Sequence, residues 1–308
     1  MADPLFEKIA IVGLGLIGSS IARGVKARGL AGEMVGYDLA PGVRSRAKEL
    51  GFCDDIAESA DTAVVNADLV ILAVPVGATE AAMKAIAPGL VRGAIVTEVG
   101  SVKAAVIRQV LAVLPEHALF VPGHPIAGTE HSGPDAGFAE LFDGRWCILT
   151  PCARSTAESV EKVAVLWRAL GSAVETMTPE HHDIVLAITS HIPHLIAFNI
   201  VGTAADVEDV TQSEVIKFSA GGFRDFTRIA ASDPVMWRDV FLNNKDAVLE
   251  MLGRFSEDLS ALQRMIRWED GAALEELFTR TRAIRRSIIE AGQDTEEPDF
   301  GRPHSHDD

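Results

Sequence analysis

The sequence predicts an α/β domain built on a doubly wound, mostly parallel sheet, followed by an all-helical domain. Three observations lead to this fold class. Short apolar runs alternate with helical patterns through the first half of the chain, and a glycine-rich turn joins the first run to the first helix. Residues 179–291 show only helical patterns. With 308 residues, the chain is long enough for two domains, each with its own core.

The first half has the β-α-β-α rhythm of a parallel sheet. Continuous apolar runs such as KIAIV are typical of strands that helices cover on both faces. Strands are predicted at 8–12, 33–38, 69–74, 94–99 and 118–122, with helices near 19–28, 42–50, 78–87 and 103–114. Two further strands are predicted at 145–150 and 173–178, with a helix between them over 156–171.

The pattern changes at Thr178-Pro179. Threonine is a good N-cap and proline fits the first turn of a helix, so a helix is predicted to begin here. We therefore expect an α/β domain over 1–178, a helical domain over 179–291 and a disordered acidic tail over 292–308. Within the helical domain, helices are predicted near 180–205, 211–219, 233–240, 243–268 and 271–291.

One predicted helix carries an apolar stripe with heptad-like spacing. Its residues follow one another at intervals of 4, 3, 4, 3 and 4: Val248, Leu252, Phe255, Leu259, Leu262 and Ile266. Such a stripe packs either into the core of the helical domain or against a second copy of the chain in a homodimer. The two interpretations are compatible.

Composition excludes several classes of protein. The net charge of -16 disfavours binding to nucleic acid or to an anionic membrane. Three cysteines without zinc-site spacing favour a reduced, cytoplasmic protein with no metal centre. The N-terminus lacks the pattern of a signal peptide, and no uninterrupted apolar run reaches membrane-spanning length.

The glycine-rich turn has the pattern G-x-G-x-x-G between a strand and a helix. Its residues are Gly13, Leu14, Gly15, Leu16, Ile17 and Gly18. The first glycine allows the tight turn, the second lets a pyrophosphate approach the backbone, and the third lets the helix pack on the strand. The helix N-terminus then faces the phosphates. The sequence therefore predicts a dinucleotide site, with a simple turn, FAD or S-adenosylmethionine as alternatives.

An acidic residue ends the second predicted strand at the position where dinucleotide-binding domains hold the ribose. Asp38 lies 20 residues after Gly18, and its carboxylate can accept hydrogen bonds from the ribose hydroxyls of NAD. A 2′-phosphate would meet a like charge there, so we expect NAD. Arg44 and Arg46 follow at a short distance and keep NADP possible.

Further polar and small residues follow the other strands, where open α/β sheets bind ligands. Val74-Pro75 and Ser101 follow two of these strands, and His124 follows another in a stiff Gly123-His124-Pro125 segment. An imidazole with a pKa near 6.5 can accept a proton from a substrate hydroxyl. His124 is therefore either a general base or a surface-loop histidine. Ser101 orients the same hydroxyl, caps the helix that follows, or does both.

These segments also carry a family resemblance. The chain resembles prephenate/arogenate (cyclohexadienyl) dehydrogenases over about residues 6–291. The matching segments are GLGLIGSS (13–20), EVGSVK (98–103), GHPIAGTEHSG (123–133), TSHIPH (189–194) and GGFRDFTRIAASDPVMW (221–237). The resemblance implies a Rossmann-type NAD(P)-binding domain and a helical domain that forms a homodimer.

The resemblance also implies a reaction. Hydride leaves the ring carbon that bears the hydroxyl, the ring carboxylate leaves as CO₂, and the ring becomes aromatic. The substrate is prephenate or L-arogenate, and the product is 4-hydroxyphenylpyruvate or tyrosine. Any inhibition by tyrosine is then expected to act at the active site.

Site roles follow from the same resemblance. His124 and Ser101 bond the ring hydroxyl, and Arg228 pairs with a substrate carboxylate through its guanidinium fork. The other expected substrate-binding residues are His191, His194, Thr129, Glu130, Asp225 and Trp237, with His194 favoured over His191. Plainer interpretations stay open: an Asp225 ion pair for Arg228, core histidines, and simple packing for Trp237.

Two alternative functions remain at this stage. One is another dehydrogenase with a helical second domain, such as a 3-hydroxyacid dehydrogenase or an imine reductase. The other is a non-catalytic NAD-binding protein on the same fold.

Overall fold

A computed structural model describes residues 3–129, 131–211 and 221–290. Eight strands of this part form one sheet in the order β3-β2-β1-β4-β5-β6-β7-β8. All neighbouring pairs are parallel except β6 and β7, which are antiparallel. The strands are β1 (Phe6–Val12), β2 (Ala31–Tyr37), β3 (Asp55–Ile56), β4 (Leu69–Leu72), β5 (Ile95–Glu98), β6 (Leu119–Pro125), β7 (Trp146–Leu149) and β8 (Ala173–Thr176).

Helices connect most of the strands, and the described residues after the last strand form only helices. Those of the α/β region are α1 (Leu16–Arg28), α2 (Pro41–Leu50), α3 (Ala60–Ala63), α4 (Thr79–Ile86), α5 (Ala104–Leu111) and α6 (Ala157–Ala169). Those that follow are α7 (Pro179–Leu186), α8 (Ile192–Thr211), α9 (Gly221–Thr227), α10 (Pro234–Asn243), α11 (Lys245–Arg267) and α12 (Gly271–Glu290). The described residues after β8 contain no strand, so the predicted fold class is confirmed.

The core lies between the sheet and its helices. Ile9 and Ile11 of β1, together with Ile71 of β4, are fully buried, because parallel strands are covered on both faces. On another part of the core, Phe142 packs edge-on against Trp167 of α6, with ring centroids 5.2 Å apart. These contacts fix the central strands, whose carboxyl ends carry the predicted site residues.

The structure adds elements that the sequence patterns did not predict. Strand β3 has two residues, too few to show a periodicity, and α3 has four. The helix predicted near 211–219 and the tail at 292–308 lie outside the described residues, apart from Thr211 at the end of α8. Elsewhere the predicted elements are present, with ends shifted by a few residues.

The chain forms two compact units that do not follow a single break in the sequence. The first contains residues up to 194 together with 231–248. The second contains, of the described residues, 195–211, 221–230 and 249–290. The start of the sequence after Thr178 is therefore packed as part of the α/β unit.

One helical stretch, Pro179–Asp206, is long and apolar enough to span a membrane by length and composition alone, with a mean hydropathy of 1.8 in its most apolar window. Within the first unit, however, it carries the buried polar residues His182, Asp183 and His191. Buried polar groups need hydrogen-bond partners, and Asp183 finds two of them in the backbone at the start of α5. The beginning of this stretch is thus held by polar contacts with the α/β unit.

Candidate active site

The turn between β1 and α1 is shaped to hold a dinucleotide. Gly13 has φ +97°, and a Cβ there would lie 2.3 Å from the carbonyl oxygen of Ala73. A Cβ on Gly18 would lie 1.9 Å from the carbonyl oxygen of Gly13. A Cβ on Gly15, by contrast, would meet no protein atom within 4 Å. Glycine is therefore required at the first and third positions because a side chain there would clash with the backbone. At the second position the space beside the backbone is open.

The N-terminus of α1 is suited to an anion. Gly15 is its N-cap, no side chain caps it, and its first turn has no acidic residue. The N–H groups there are therefore available to a pyrophosphate. Leu14 is fully buried and Leu16 and Ile17 are half-buried, so their side chains pack against the protein. The residues present fit a dinucleotide.

Asp38 lies beside this turn at the end of β2. Its Oδ2 accepts a hydrogen bond from the N–H of Leu14 at 2.9 Å, and its Oδ1 accepts one from the N–H of Ala40 at 2.9 Å. Each carboxylate oxygen has two lone pairs, so capacity remains for ribose hydroxyls. Asp38 both braces the glycine turn and offers the negative charge expected for NAD.

The two arginines that kept NADP open already have partners. Arg44 donates to the backbone carbonyls of Asp38 and Leu39 at 2.9 and 3.2 Å. Arg46 forms an ion pair with Asp135, with Nη2 2.6 Å from Oδ1. A 2′-phosphate would have to displace these contacts, which favours NAD.

Close contacts join the segment after β4 to the glycine turn after β1 and to the loop after β5. Val74 lies half-buried against Gly13, with a methyl carbon 3.1 Å from a Cβ built on that glycine, and Pro75 follows it on the surface. Val76 makes the same kind of contact with Gly100 at 3.3 Å. The glycine turn, the end of β4 and the loop after β5 thus form one continuous edge, as predicted.

His124 lies in strand β6, not in a loop. It pairs with Ile148 of β7 and is 8% exposed. The sequence suggested a stiff loop because proline and glycine flank the histidine. The antiparallel pairing with β7 instead extends the strand through Pro125. His124 is therefore held by the sheet itself and is not a surface-loop histidine.

His124 contacts a second histidine that sequence analysis missed. Its Nδ1 lies 2.8 Å from Nε2 of His182, and Nδ1 of His182 lies 2.9 Å from Oδ1 of Asp183. All three groups are buried. The only sequence signal was the HHD triplet in the first turn of a helix. Nothing in that triplet indicates that it packs against a histidine 58 residues earlier.

Burial sets the ionisation of these groups. It lowers the pKa of His124 well below 6.5, and repulsion from His182, when that ring is protonated, from the Lys103 ammonium, and from a protonated His191 lowers it further. Burial also lowers the pKa of His182, although the hydrogen bond to Asp183 opposes this effect. For Asp183, burial raises the pKa, but the hydrogen bonds from His182 and the backbone outweigh it and the pKa is lowered. Both imidazoles are therefore neutral beside an ionised carboxylate.

Asp183 also caps helix α5. Its two carboxylate oxygens accept the N–H groups of Lys103 and Ala104 at 2.8 and 2.9 Å. The alternative interpretation of Ser101 as the helix cap is therefore wrong, since α5 begins at Ala104 and a distant carboxylate fills that role. Ser101 is half-buried in the loop before the helix.

A buried ion pair ties the Ser101 loop to the strand of His124. The Lys103 ammonium contacts the Glu98 carboxylate and also donates to the carbonyl of Gly123. The other oxygen of Glu98 accepts the N–H of Gly100 at 2.7 Å. Burial raises the pKa of Glu98 and lowers that of Lys103, while their mutual attraction opposes both shifts.

The remaining histidines differ in exposure. His191 is fully buried in a π-helical turn, Ala187–His191, and its Nδ1 lies 3.1 Å from Nδ2 of Asn244. Burial lowers its pKa to about 4. His194 is half-buried and stacks on Trp237, with ring centroids 3.7 Å apart. Trp237 is itself 6% exposed, so it packs beneath His194.

The other predicted residues are more scattered. Thr129 is exposed after β6 and accepts the N–H of His131 at 3.2 Å, whereas Glu130 lies outside the described residues. Asp225 in α9 and Arg228 just after it belong to the second compact unit. The first unit therefore brings together the dinucleotide turn, His124 and the histidine–tryptophan pair, while the predicted carboxylate-binding arginine belongs to the other unit.

A dinucleotide cradle and a buried histidine on the same sheet indicate the class of protein: a nicotinamide-dependent dehydrogenase. Comparison with known sequences narrows the class. The nucleotide-binding domain of prephenate dehydrogenase matches residues 21–176, and the dimerization domain of prephenate dehydrogenase matches residues 178–280. The chain therefore belongs to the prephenate dehydrogenase family, and it is an oxidoreductase that uses NAD.

Individual relatives agree with this assignment. A cyclohexadienyl dehydrogenase of Zymomonas mobilis is 43% identical over 92% of this chain and 97% of its own length. The crystal structure of prephenate dehydrogenase from A. aeolicus with hydroxyphenyl propionate and NAD+ is 35% identical, has a TM-score of 0.86, and covers 94% of this chain and 99% of its own. Arogenate dehydrogenase of Synechocystis is 26% identical with a TM-score of 0.78, covering 91% of this chain and 99% of its own.

Proposed function

We propose that this protein catalyses the NAD-dependent oxidative decarboxylation of prephenate, L-arogenate or both. The observation that carries the proposal is the buried, neutral His124 at the sheet edge that also holds the dinucleotide turn. The relatives named above are a cyclohexadienyl, a prephenate and an arogenate dehydrogenase. Prephenate and arogenate differ only in a keto group and an ammonium. The products are 4-hydroxyphenylpyruvate and tyrosine, respectively.

In this proposal His124 is the general base. It accepts the proton of the ring hydroxyl while hydride leaves the carbon that bears it. Bound NAD supplies the nicotinamide that accepts the hydride. Ser101 bonds the same hydroxyl, and the Glu98–Lys103 pair holds the Ser101 loop against the strand of His124.

Other side chains hold the substrate. The guanidinium of Arg228 pairs with a substrate carboxylate. His194 is the better candidate of the two later histidines for contact with substrate, because His191 is fully buried and already bonded to Asn244. Trp237 supports the ring of His194. Thr129, Glu130 and Asp225 are the other proposed substrate-binding residues.

On the cofactor side, Gly13 to Gly18 hold the pyrophosphate, Asp38 holds the ribose, and Val74 and Pro75 flank the nicotinamide half. In sequence, the proposed boundary after Thr178 separates the cofactor-binding segment from the helical segment, whose first helix is packed in the same compact unit as the cofactor-binding segment. Tyrosine is itself the product from arogenate and shares the hydroxyphenyl ring of the product from prephenate, so it would inhibit by competing for the same pocket.

We also propose that the helical domain forms a homodimer. Two residues of the heptad-like stripe on α11, Leu259 and Ile266, are 43% and 64% exposed in the single chain. Exposed apolar residues at coiled-coil spacing favour burial against another helix. The matched family domain is described as a dimerization domain, which supports this assignment. We propose that the protein is a soluble, cytoplasmic dimer. It binds a small-molecule substrate and neither nucleic acid nor membrane.

The experiment is a spectrophotometric assay with prephenate or arogenate and with NAD or NADP. Reduction of NAD with either substrate supports the proposal. The substrate that is oxidised faster shows whether the protein is a prephenate or an arogenate dehydrogenase. His124→Asn keeps an N–H near the position of Nδ1 but removes Nε2, so it should lower kcat by about 10²- to 10⁴-fold. Arg228→Ala should mainly raise KM.

Two results would contradict the proposal. One is well-folded protein that binds NAD but reduces it with neither substrate. The other is a His124→Asn variant with near-parental kcat, which would remove the histidine from the chemistry.

A further inference from the structure

The hydrogen bonds of the buried histidines leave one consistent arrangement of protons. Asp183 is ionised and can only accept, so Nδ1 of His182 must carry a proton and donate it to Oδ1 at 2.9 Å. A neutral His182 then has an unprotonated Nε2. That atom lies 2.8 Å from Nδ1 of His124, which must therefore be the donor.

The order of these bonds determines the reactive atom. A neutral His124 that carries its proton on Nδ1 has an unprotonated Nε2. Among the described residues, only Nδ1 of this ring makes a hydrogen bond. Nε2 is therefore the nitrogen left to meet a substrate, and it is in the form that accepts a proton. The other tautomer would put an N–H there, and the ring could not act as a base.

We propose that His182 and Asp183 are positioning residues that fix His124 in its basic tautomer and give the accepted proton a second place to reside. This inference rests on the proposed function and deepens it. When Nε2 of His124 gains the hydroxyl proton, its Nδ1 proton can pass to Nε2 of His182. His182 then carries both protons beside the Asp183 carboxylate.

Storage of one proton matches the balance of the reaction. The ring oxygen loses its proton as hydride leaves its carbon, and loss of CO₂ then returns an electron pair to that same oxygen. The product is a phenol, so a proton must be given back to the oxygen that lost it. The pair of histidines can hold the proton in the interval and return it through Nε2 of His124, without exchange with solvent.

The surroundings explain why a second histidine is needed. His124 faces His182 and Asp183 from α7, Lys103 from the loop before α5, and His191 from the π-helical turn. The thiol of Cys147, on β7, is neutral because burial raises its pKa. Lys103 disfavours positive charge on both His124 and His182, whereas Glu98 is paired with Lys103 itself. The Asp183 carboxylate bonds directly to His182, so the proton is best stabilised there.

Two replacements of His182 separate the roles. His182→Gln puts an amide oxygen near the position of Nε2, which keeps an acceptor for His124 but cannot store a proton. We expect kcat to fall by about 10- to 100-fold, less than the full contribution of a general base. KM and NAD affinity should stay unchanged. His182→Ala also frees the tautomer, so kcat should fall further.

The pH profile distinguishes this role from simple support of the fold. The His182–Asp183 pair stabilises the protonated form of the base, so its loss should shift the acid limb of kcat to lower pH. A structural defect would lower kcat at every pH without that shift. His181→Gln is the matched control, because His181 is the exposed neighbour on the same helix and should behave as the parent.

A readout independent of turnover completes the test. In ¹⁵N-histidine NMR spectra, Nε2 of His124 should be unprotonated in the parent and in His182→Gln, and mixed in His182→Ala. A protonated Nε2 in the parent, an unshifted acid limb, or near-parental kcat in His182→Ala would each overturn the inference. If neither prephenate nor arogenate is oxidised, the proposed function fails, while the NMR result still decides the tautomer.

Discussion

The buried Glu98–Lys103 pair should make Lys103→Met far more damaging than loss of an exposed lysine. The side chains of Lys103 and Glu98 are 0% and 2% exposed. Methionine fills a similar volume but leaves Glu98 with its backbone donors, Gly100 and Gly123, and no ammonium. Removing one partner of a buried pair costs about 3–5 kcal/mol, because the remaining charge is uncompensated.

The loss of stability should depend on pH. Burial already raises the pKa of Glu98, and Lys103 is the main group that opposes this. Without Lys103 the folded-state pKa rises further above that of the unfolded chain. A raised carboxyl pKa means that the folded state binds more protons, so stability is retained at low pH and lost as pH rises through the folded pKa. The slope is about 1.4 kcal/mol per pH unit for one group.

Urea unfolding between pH 4.5 and 8 measures this effect. The control is Lys84→Met, which breaks an exposed i,i+4 pair with Glu80 and should cost less than about 1 kcal/mol at every pH. Glu98→Gln in the Lys103→Met background should recover stability at neutral pH, because it removes the buried charge. A loss below about 1 kcal/mol at pH 7, or a loss that does not vary with pH, would refute the reasoning.

Four further predictions concern the cofactor turn and the helical domain. Gly15→Ala should leave the stability of the cofactor-free protein unchanged but weaken NAD binding by at least about 10-fold, because its Cβ enters the space for the pyrophosphate. Gly18→Ala should destabilise the protein itself, whereas Gly42→Ala, with open space around its Cβ, should not; thermal unfolding and NAD titration compare all three. Asp38→Ala should weaken NAD binding by about 10- to 100-fold and narrow the preference over NADP, and unchanged affinity would remove Asp38 from the site. Leu259→Glu should shift sedimentation toward monomer while Glu257→Gln does not, and a dimer that survives Leu259→Glu would place the interface elsewhere.

Local patterns in the sequence were enough to predict the sheet and the dinucleotide turn. The spacing of Gly13, Gly15 and Gly18 after an apolar strand has a physical cause within six residues, and the backbone contacts of Gly13 and Gly18 agree with it. The sequence singled out His124 as a candidate base after a strand, and that role stays a prediction, whereas its burial was not predicted. Its place in β6 was not predicted, because that depends on pairing with β7 more than 20 residues later.

The supporting residues could not be predicted for a similar reason. The histidine pair, the Asp183 cap and the Glu98–Lys103 bridge to Gly123 join parts of the chain that are far apart in sequence. Each partner taken alone is an ordinary polar residue near a helix end or a strand end. Only the packing of α7 against the start of α5 shows that these residues act together.

Asp183 connects these parts most directly. One carboxylate caps α5, which follows the Ser101 loop, and bonds His182, which holds His124. The backbone carbonyl of Asp183 also accepts a hydrogen bond from Nδ2 of Asn244 at 2.8 Å. The same amide nitrogen contacts Nδ1 of His191. The boundary after Thr178 in the sequence is therefore not a boundary in the site. A fragment that ends at 178 would keep the glycine turn but leave the N–H groups of Lys103 and Ala104 uncapped and His124 without its partner. The cofactor turn is complete within the α/β segment, whereas the proposed proton chemistry requires the first helix of the segment that follows.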